Sequence, residues 1–148
     1  MRMALALSAL LLPSWLGATA VVTFGSGGAS QSAGTDISLV FGVPASGGSN
    51  RLLMVSVGLN DATDTVQSIT FDGLPLTFLS AQNNGTLIRS EIWYLLSPPV
   101  GAALTGLVTL NSTSKFTVHY EYYSNVDQIN PFGIVATTTT NTTSASIN

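Results

Sequence analysis

The chain contains no cysteine, which excludes disulfides, thiolate zinc sites, cysteine nucleophiles and a lipidated N-terminal cysteine. Charge is scarce: Lys and Arg total 4, Asp and Glu total 7, and there is one His in 148 residues. Four basic residues and a pI near 4.6 argue against nucleic acid as a partner, which needs clustered Lys and Arg to neutralise phosphates. A charged fraction of 7% beside 45% hydrophobic residues also argues against a charge-rich disordered chain. Beyond the first twenty residues no window keeps an apolar spacing of about 3.6 residues, so helices are not expected. What the chain has instead is hydroxyl: 18 Ser and 18 Thr, about a quarter of its length. The length allows one domain.

The N-terminus reads as an address. Met1 and Arg2 give a short basic start, residues 3–12 are almost wholly apolar, and Ala18-Thr19-Ala20 places small residues where a signal peptidase cuts. An apolar core of about ten residues is too short to span a bilayer, which needs about twenty. No second apolar run of membrane length follows. The alternatives are an uncleaved amphipathic anchor or a hydrophobic strand donated to a neighbouring subunit. The expected organisation is a signal peptide over residues 1–20 and one domain over residues 21–148, secreted or at the cell surface, with no membrane span.

The domain reads as short β-rich runs between turn clusters. Strands are expected at residues 21–24, 35–41, 51–59, 65–71, 74–79, 87–96, 104–110, 116–123 and 133–140. Loops are expected at 26–30, 45–50 and 60–64. Asp72-Gly73 between two strand-like runs is a hairpin signal, because Gly accepts the positive φ of a type I′ turn. Asn83-Asn84-Gly85 marks another turn, and Pro98-Pro99 cannot continue a ladder. Eight or nine strands at this spacing predict an all-β fold, an antiparallel β-sandwich of jelly-roll or immunoglobulin-like type, with a barrel or a partial sandwich as alternatives.

Four stretches in order carry a resemblance: GSNRLLMV at 48–55, ITFDGLPLT at 69–77, EIWYLLSPP at 91–99 and VDQINPFG at 126–133. Together they resemble a β-sandwich module repeated in large secreted and cell-surface bacterial proteins, beside immunoglobulin-like and other adhesive repeats. The resemblance covers most of residues 21–148. It implies a fold and a setting, not a catalytic site. Such modules continue for several strands after the Pro-Phe-Gly stretch, whereas this chain ends in the Thr-rich run 137–143 and five further residues. The expected sandwich is therefore incomplete, either as a truncated reading frame or with an open edge that another chain completes.

The chemistry-bearing residues are few. His119 is the only His, set mid-strand, so a plain surface or half-buried His is expected rather than a catalytic base. Glu91 and Glu121 are the only glutamates and could act as an acid–base pair only if their strands were neighbours. Asp61 and Asp64, with Asp127 from another loop, offer carboxylates for calcium, although Asp and Asn also favour turns for local reasons. Strand alternation puts Ile88, Ile92, Tyr94 and Leu96 on one face and Arg89, Glu91 and Trp93 on the other, expected to be the wet face. Trp93 and Tyr123, with Arg89 and Glu91, are thus the candidate ligand platform. The favoured expectation nevertheless places Trp93, Phe71, Phe116 and Tyr120 in the core, where aromatics are most used. Asn84, Asn111 and Asn141 head N-glycosylation acceptor triplets.

These observations predict a secreted, non-catalytic surface or matrix module for adhesion, a rigid sandwich that presents the loops 60–64, 83–86 and 126–132 to a glycan or a cell-surface protein. No cofactor is implied, apart from calcium as an alternative. The rival expectations are a structural subunit of an extracellular fibre, self-associating through an edge strand, and a glycan hydrolase using Glu91 and Glu121.

Overall fold

The computed structural model describes residues 24–43, 48–133 and 135. These residues contain no helix and fall into seven strands: β1 (Phe24–Val43), β2 (Leu52–Leu59), β3 (Val66–Phe71), β4 (Leu74–Pro75), β5 (Thr77–Asn84), β6 (Ile88–Leu96) and β7 (Gly101–Tyr123). The signal peptide at 1–20 and most of the expected strands at 21–24 and 133–140 lie outside the described residues, as does Asn141.

Every pairing is antiparallel, in the order β4-β3-β7-β2-β6-β5, with β1 also on β7. β7 organises the sheet. Its last third, residues 116–123, pairs with β2, while residues 106–110 pair with β3. β1 runs along both parts of β7. Between them the ladder is irregular, because Gly34 meets Ser114 whereas Asp36 meets Thr109. The extra residues around Asn111-Ser112-Thr113 let the strand bend from one half of the sheet to the other. The ends of the order, β4 and β5, are separated by Leu76 alone, so chain continuity joins the two margins and the sheet nearly closes into a barrel-like shape.

The residue pattern explains the closure. In β2, Leu53, Val55, Val57 and Leu59 are buried while Ser56 is exposed, the period-two signature of one inward face. Phe116 and Val118 continue that face on β7, and Val66, Ile69, Phe71, Val108 and Leu110 supply the same face in the other half. All of them, with Leu76, form one cluster. Leu53 and Val55 come within reach of Ile69, Phe71 and Val108 across a void of only about 10 Å³. At about 25 cal/mol per Å² of apolar surface removed from water, this burial holds the halves together.

Several boundaries differ from the sequence expectation, and the expected strand 74–79 is split at Leu76 into β4 and β5. Residues 26–30 belong to β1 rather than to a loop, because backbone pairing with residues 117–121 of β7 suits Gly and Ser as well as larger residues. Residues 104–110 and 116–123 are one strand, not two. Asn84 ends β5, so the turn starts at Gly85. The Asp72-Gly73 hairpin is as expected: φ is 50° at Asp72 and 78° at Gly73, both left-handed, and Phe71 pairs with Leu74.

Candidate functional site

The expected ligand platform divides between two faces. Opposite Val57 and Val55 of β2 lie Glu91 and Trp93 of β6, so these two share the inward face. Glu91 is only 1% exposed. Arg89 Nε donates to its Oε1 at 2.6 Å, Val66 N to the same oxygen at 3.4 Å, and Trp93 Nε1 to Oε2 at 3.0 Å. Arg89 also donates to Asn83 Oδ1 at 3.0 Å. This carboxylate ties β6 to the start of β3. Trp93 packs against the core, with the Phe78 ring edge-on at 5.4 Å. Trp93 thus lies with the core, as the favoured expectation has it, whereas Arg89 and Glu91 form an inward pair and not a wet platform, because a buried Arg–Glu pair looks like a solvated one in sequence.

Glu121 sits on the outward face of β7, and β2 lies between β7 and β6. Glu91 and Glu121 therefore face opposite sides of the sheet and do not form a carboxylate pair. Along the outward face, Tyr123 donates its hydroxyl to Glu121 Oε2 at 2.7 Å, and His119 Nδ1 lies 3.8 Å from Glu121 Oε1. The Glu121 bond, then desolvation, push the Tyr123 phenol up to about 12.

The three aspartates do not converge either. Asp61 and Asp64 follow β2, whereas Asp127 lies beside its beginning, where Gln128 Nε2 donates to Arg51 O at 3.2 Å. At about 3.3 Å per residue, the ends of this eight-residue strand are roughly 23 Å apart. Asp61 Oδ1 accepts from Thr63 N and Oγ1, which holds its carboxyl below the usual range. Asp64 is 2% exposed, and its Oδ1 accepts from Thr65 N and Ser112 N, locking the 60–65 turn to the bend of β7. Among the described residues no group of three His, Asp or Glu side chains is placed to hold a metal. Asn111 Nδ2 donates to Thr65 Oγ1 at 2.5 Å, while Asn84 is exposed.

A groove of about 370 Å³ does open where β2 begins and β7 ends. Its floor includes Met54 and Tyr123, and its wall is the loop after β7, with Asn125, Asp127, Asn130 and Phe132. That loop is held by several bonds. Asn125 N and Val126 N donate to Ser49 O and Asn50 O, both at 2.9 Å. Gln128 Nε2 donates to Val126 O at 3.0 Å and Gln128 Oε1 accepts from Ser97 Oγ at 2.9 Å. Asp127 Oδ1 accepts from Ile129 N at 2.8 Å and Asn130 N at 3.2 Å, and these bonds keep its carboxyl low. The Phe132 ring stands edge-on to Tyr94 at 4.8 Å, pinned to the outward face of β6.

The backbone around this groove is unusual. Gly48, Asn50, Ser97 and Asn125 all have positive φ and all lie at this end. A Cβ on Gly48 would sit 3.3 Å from Ser124 Cβ and Oγ, a tight contact, and its φ of 94° strains any side chain there.

No family model, curated protein or solved structure matches this chain. The groove itself is therefore what its chemistry has to be read from. It joins ring surfaces to amide and carboxylate groups on a bonded loop, a composition that suits reversible recognition. Sequence reasoning named Tyr123, Asp127 and the presenting loop 126–132, which holds Asn130 and Phe132, but missed Asn125. The signal for Asn125 was its place beside that polar loop.

Proposed function

We propose that this chain is a secreted, non-catalytic surface module that binds a glycan or a cell-surface protein through the groove at the β2–β7 end. The observation that carries the reading is a wall of residues 125–132 held in place by backbone and side-chain bonds before any ligand arrives. Pre-organisation of that kind lowers the ordering cost of binding. The volume lies within the range of about 300–1,000 Å³ used by small-ligand sites. The N-terminal address pattern supports export, and the resemblance of most of residues 21–148 to a β-sandwich module found beside adhesive repeats supports a sandwich-type fold and a cell-surface setting. An array of glycans and matrix proteins probed with the chain tests this reading. Binding that Phe132→Ala abolishes, with the melt unchanged, is expected. Binding indifferent to Phe132→Ala would refute it.

A second reading, a fibre subunit assembled by strand addition, draws on β1. This 20-residue strand lies at the margin of the described ladder and carries no Lys, Arg or Pro and only Asp36 as a charge. Edges usually carry such protection against pairing. Sedimentation over a wide concentration range separates the two: concentration-dependent polymers favour the fibre, and monomer throughout refutes it.

A further inference from the structure

We infer that the outer edge of β1 pairs with the same edge of a second copy of this chain, antiparallel over residues 35–43, to give a closed two-fold dimer. The inference goes beyond the groove and does not rest on it. It uses the edge that the fibre reading uses, but ends the assembly at two. Among the described residues β1 pairs with β7 alone, so within them its other side is a row of backbone donors and acceptors able to receive a strand.

The two parts of that edge differ. Residues 24–31 are FGSGGASQ, with three glycines, which weaken a strand. Residues 37–43 are ISLVFGV, free of charge and of proline, the composition of a segment that readily adds to another strand. The ladder to β7 is regular from Asp36 opposite Thr109 to Phe41 opposite Leu104, with register shifts just before and just after. Bulges blunt an edge, so the stretch between them is the one open to pairing. Apolar surface lies beside it on β7. Leu107, opposite Ser38, is 40% exposed, and Val100, next to the Gly101 that faces Val43, is 39% exposed.

The register selects a second copy. A two-fold axis normal to the sheet reverses the strand but keeps each face on its own side, so opposed residues must share the alternation of the strand. An axis at Leu39 sets Leu39 against itself, Ile37 against Phe41 and Ser38 against Val40. Asp36, the one charge in β1, then meets Gly42 and not a second carboxylate, and like charges directly opposite would oppose pairing. The contact is isologous, so both edges are consumed and the assembly closes.

The test is sedimentation of the full chain from micromolar to millimolar concentration, with hydrogen exchange followed by residue at both extremes. A shift from monomer to twice its mass is expected, with exchange slowed at residues 35–43 in the concentrated sample. Ser38 is exposed, and in this register the two copies of residue 38 lie on a diagonal of about 7–8 Å. Ser38→Lys is therefore expected to weaken the dimer severalfold or more and to leave the dilute melt unchanged. The exchange readout needs no variant and decides the matter even if Ser38→Lys does not fold. Polymers beyond the dimer overturn the closed pair and leave the fibre reading standing. Monomer at every concentration overturns both. A dimer protected elsewhere than residues 35–43, or one that folded Ser38→Lys leaves intact, overturns the β1 edge as its site.

Discussion

Single residues settle which face of each strand is inside. Glu91 is the clearest case. Sequence alternation grouped it correctly with Arg89 and Trp93, but nothing in a linear sequence distinguishes a solvated ion pair from a buried one. The distinction comes from Val66 N and Trp93 Nε1, donors supplied by another strand and by a core aromatic. Removing one member of a buried pair strands the other, so Glu91→Ala is expected to cost about 3–5 kcal/mol in denaturant unfolding. A cost below about 1 kcal/mol, typical of an exposed pair, would place Glu91 in solvent instead. Tyr123 gives a second residue-scale prediction. Its folded pKa, about 12, lies above the ordinary 10.0, so the neutral phenol is the favoured form in the folded state. Whatever this adds to stability is complete below about pH 10 and is lost as pH rises through about 12. Ultraviolet titration should show Tyr123 ionising late, and Glu121→Gln should bring it back towards 10.

At the scale of elements, strands were legible wherever a turn residue and period-two burial agreed. Residues 51–59, 65–71 and 87–96 all emerge within a residue or so of expectation as β2, β3 and β6. The hairpin at Asp72-Gly73 was legible because its chemistry is local. A Cβ on Gly73 would meet nothing within 4 Å, so only the left-handed backbone opposes a side chain there. Gly73→Ala should therefore cost about 1–2 kcal/mol, whereas Gly73→Asn, which tolerates positive φ, should cost less. Equal losses for both would show that the turn is not held in this conformation. What the sequence could not reveal is the unity of β7. Asn111-Ser112-Thr113 resembles a turn in composition, but Asn111 N and Ser112 N are taken up by Thr65 O and Asp64 Oδ1, so the bend stays paired. The groove was partly legible: Tyr123, Asp127 and the 126–132 loop carry recognisable signals, whereas the seat of Phe132 against Tyr94 comes from a strand far away in sequence.

The described residues form one sheet in which β4 and β5 meet through Leu76, with one cluster filling the interior. Because Leu53 and Val55 of one half pack near Phe71 and Val108 of the other, neither half has a core of its own. Phe71→Ala should destabilise both halves at once, by about 3–5 kcal/mol, and thermal unfolding followed by tryptophan fluorescence and far-ultraviolet dichroism should coincide. This rigid frame is what holds the loop after β7 over the start of β2. The central claim is that binding happens there. Its most direct test is a nuclear magnetic resonance titration of the full chain with chitotriose. The account predicts amide shifts confined to residues 51–54 and 121–132. Shifts centred on Glu91, Trp93 and Phe78, or on residues 60–65, would contradict it.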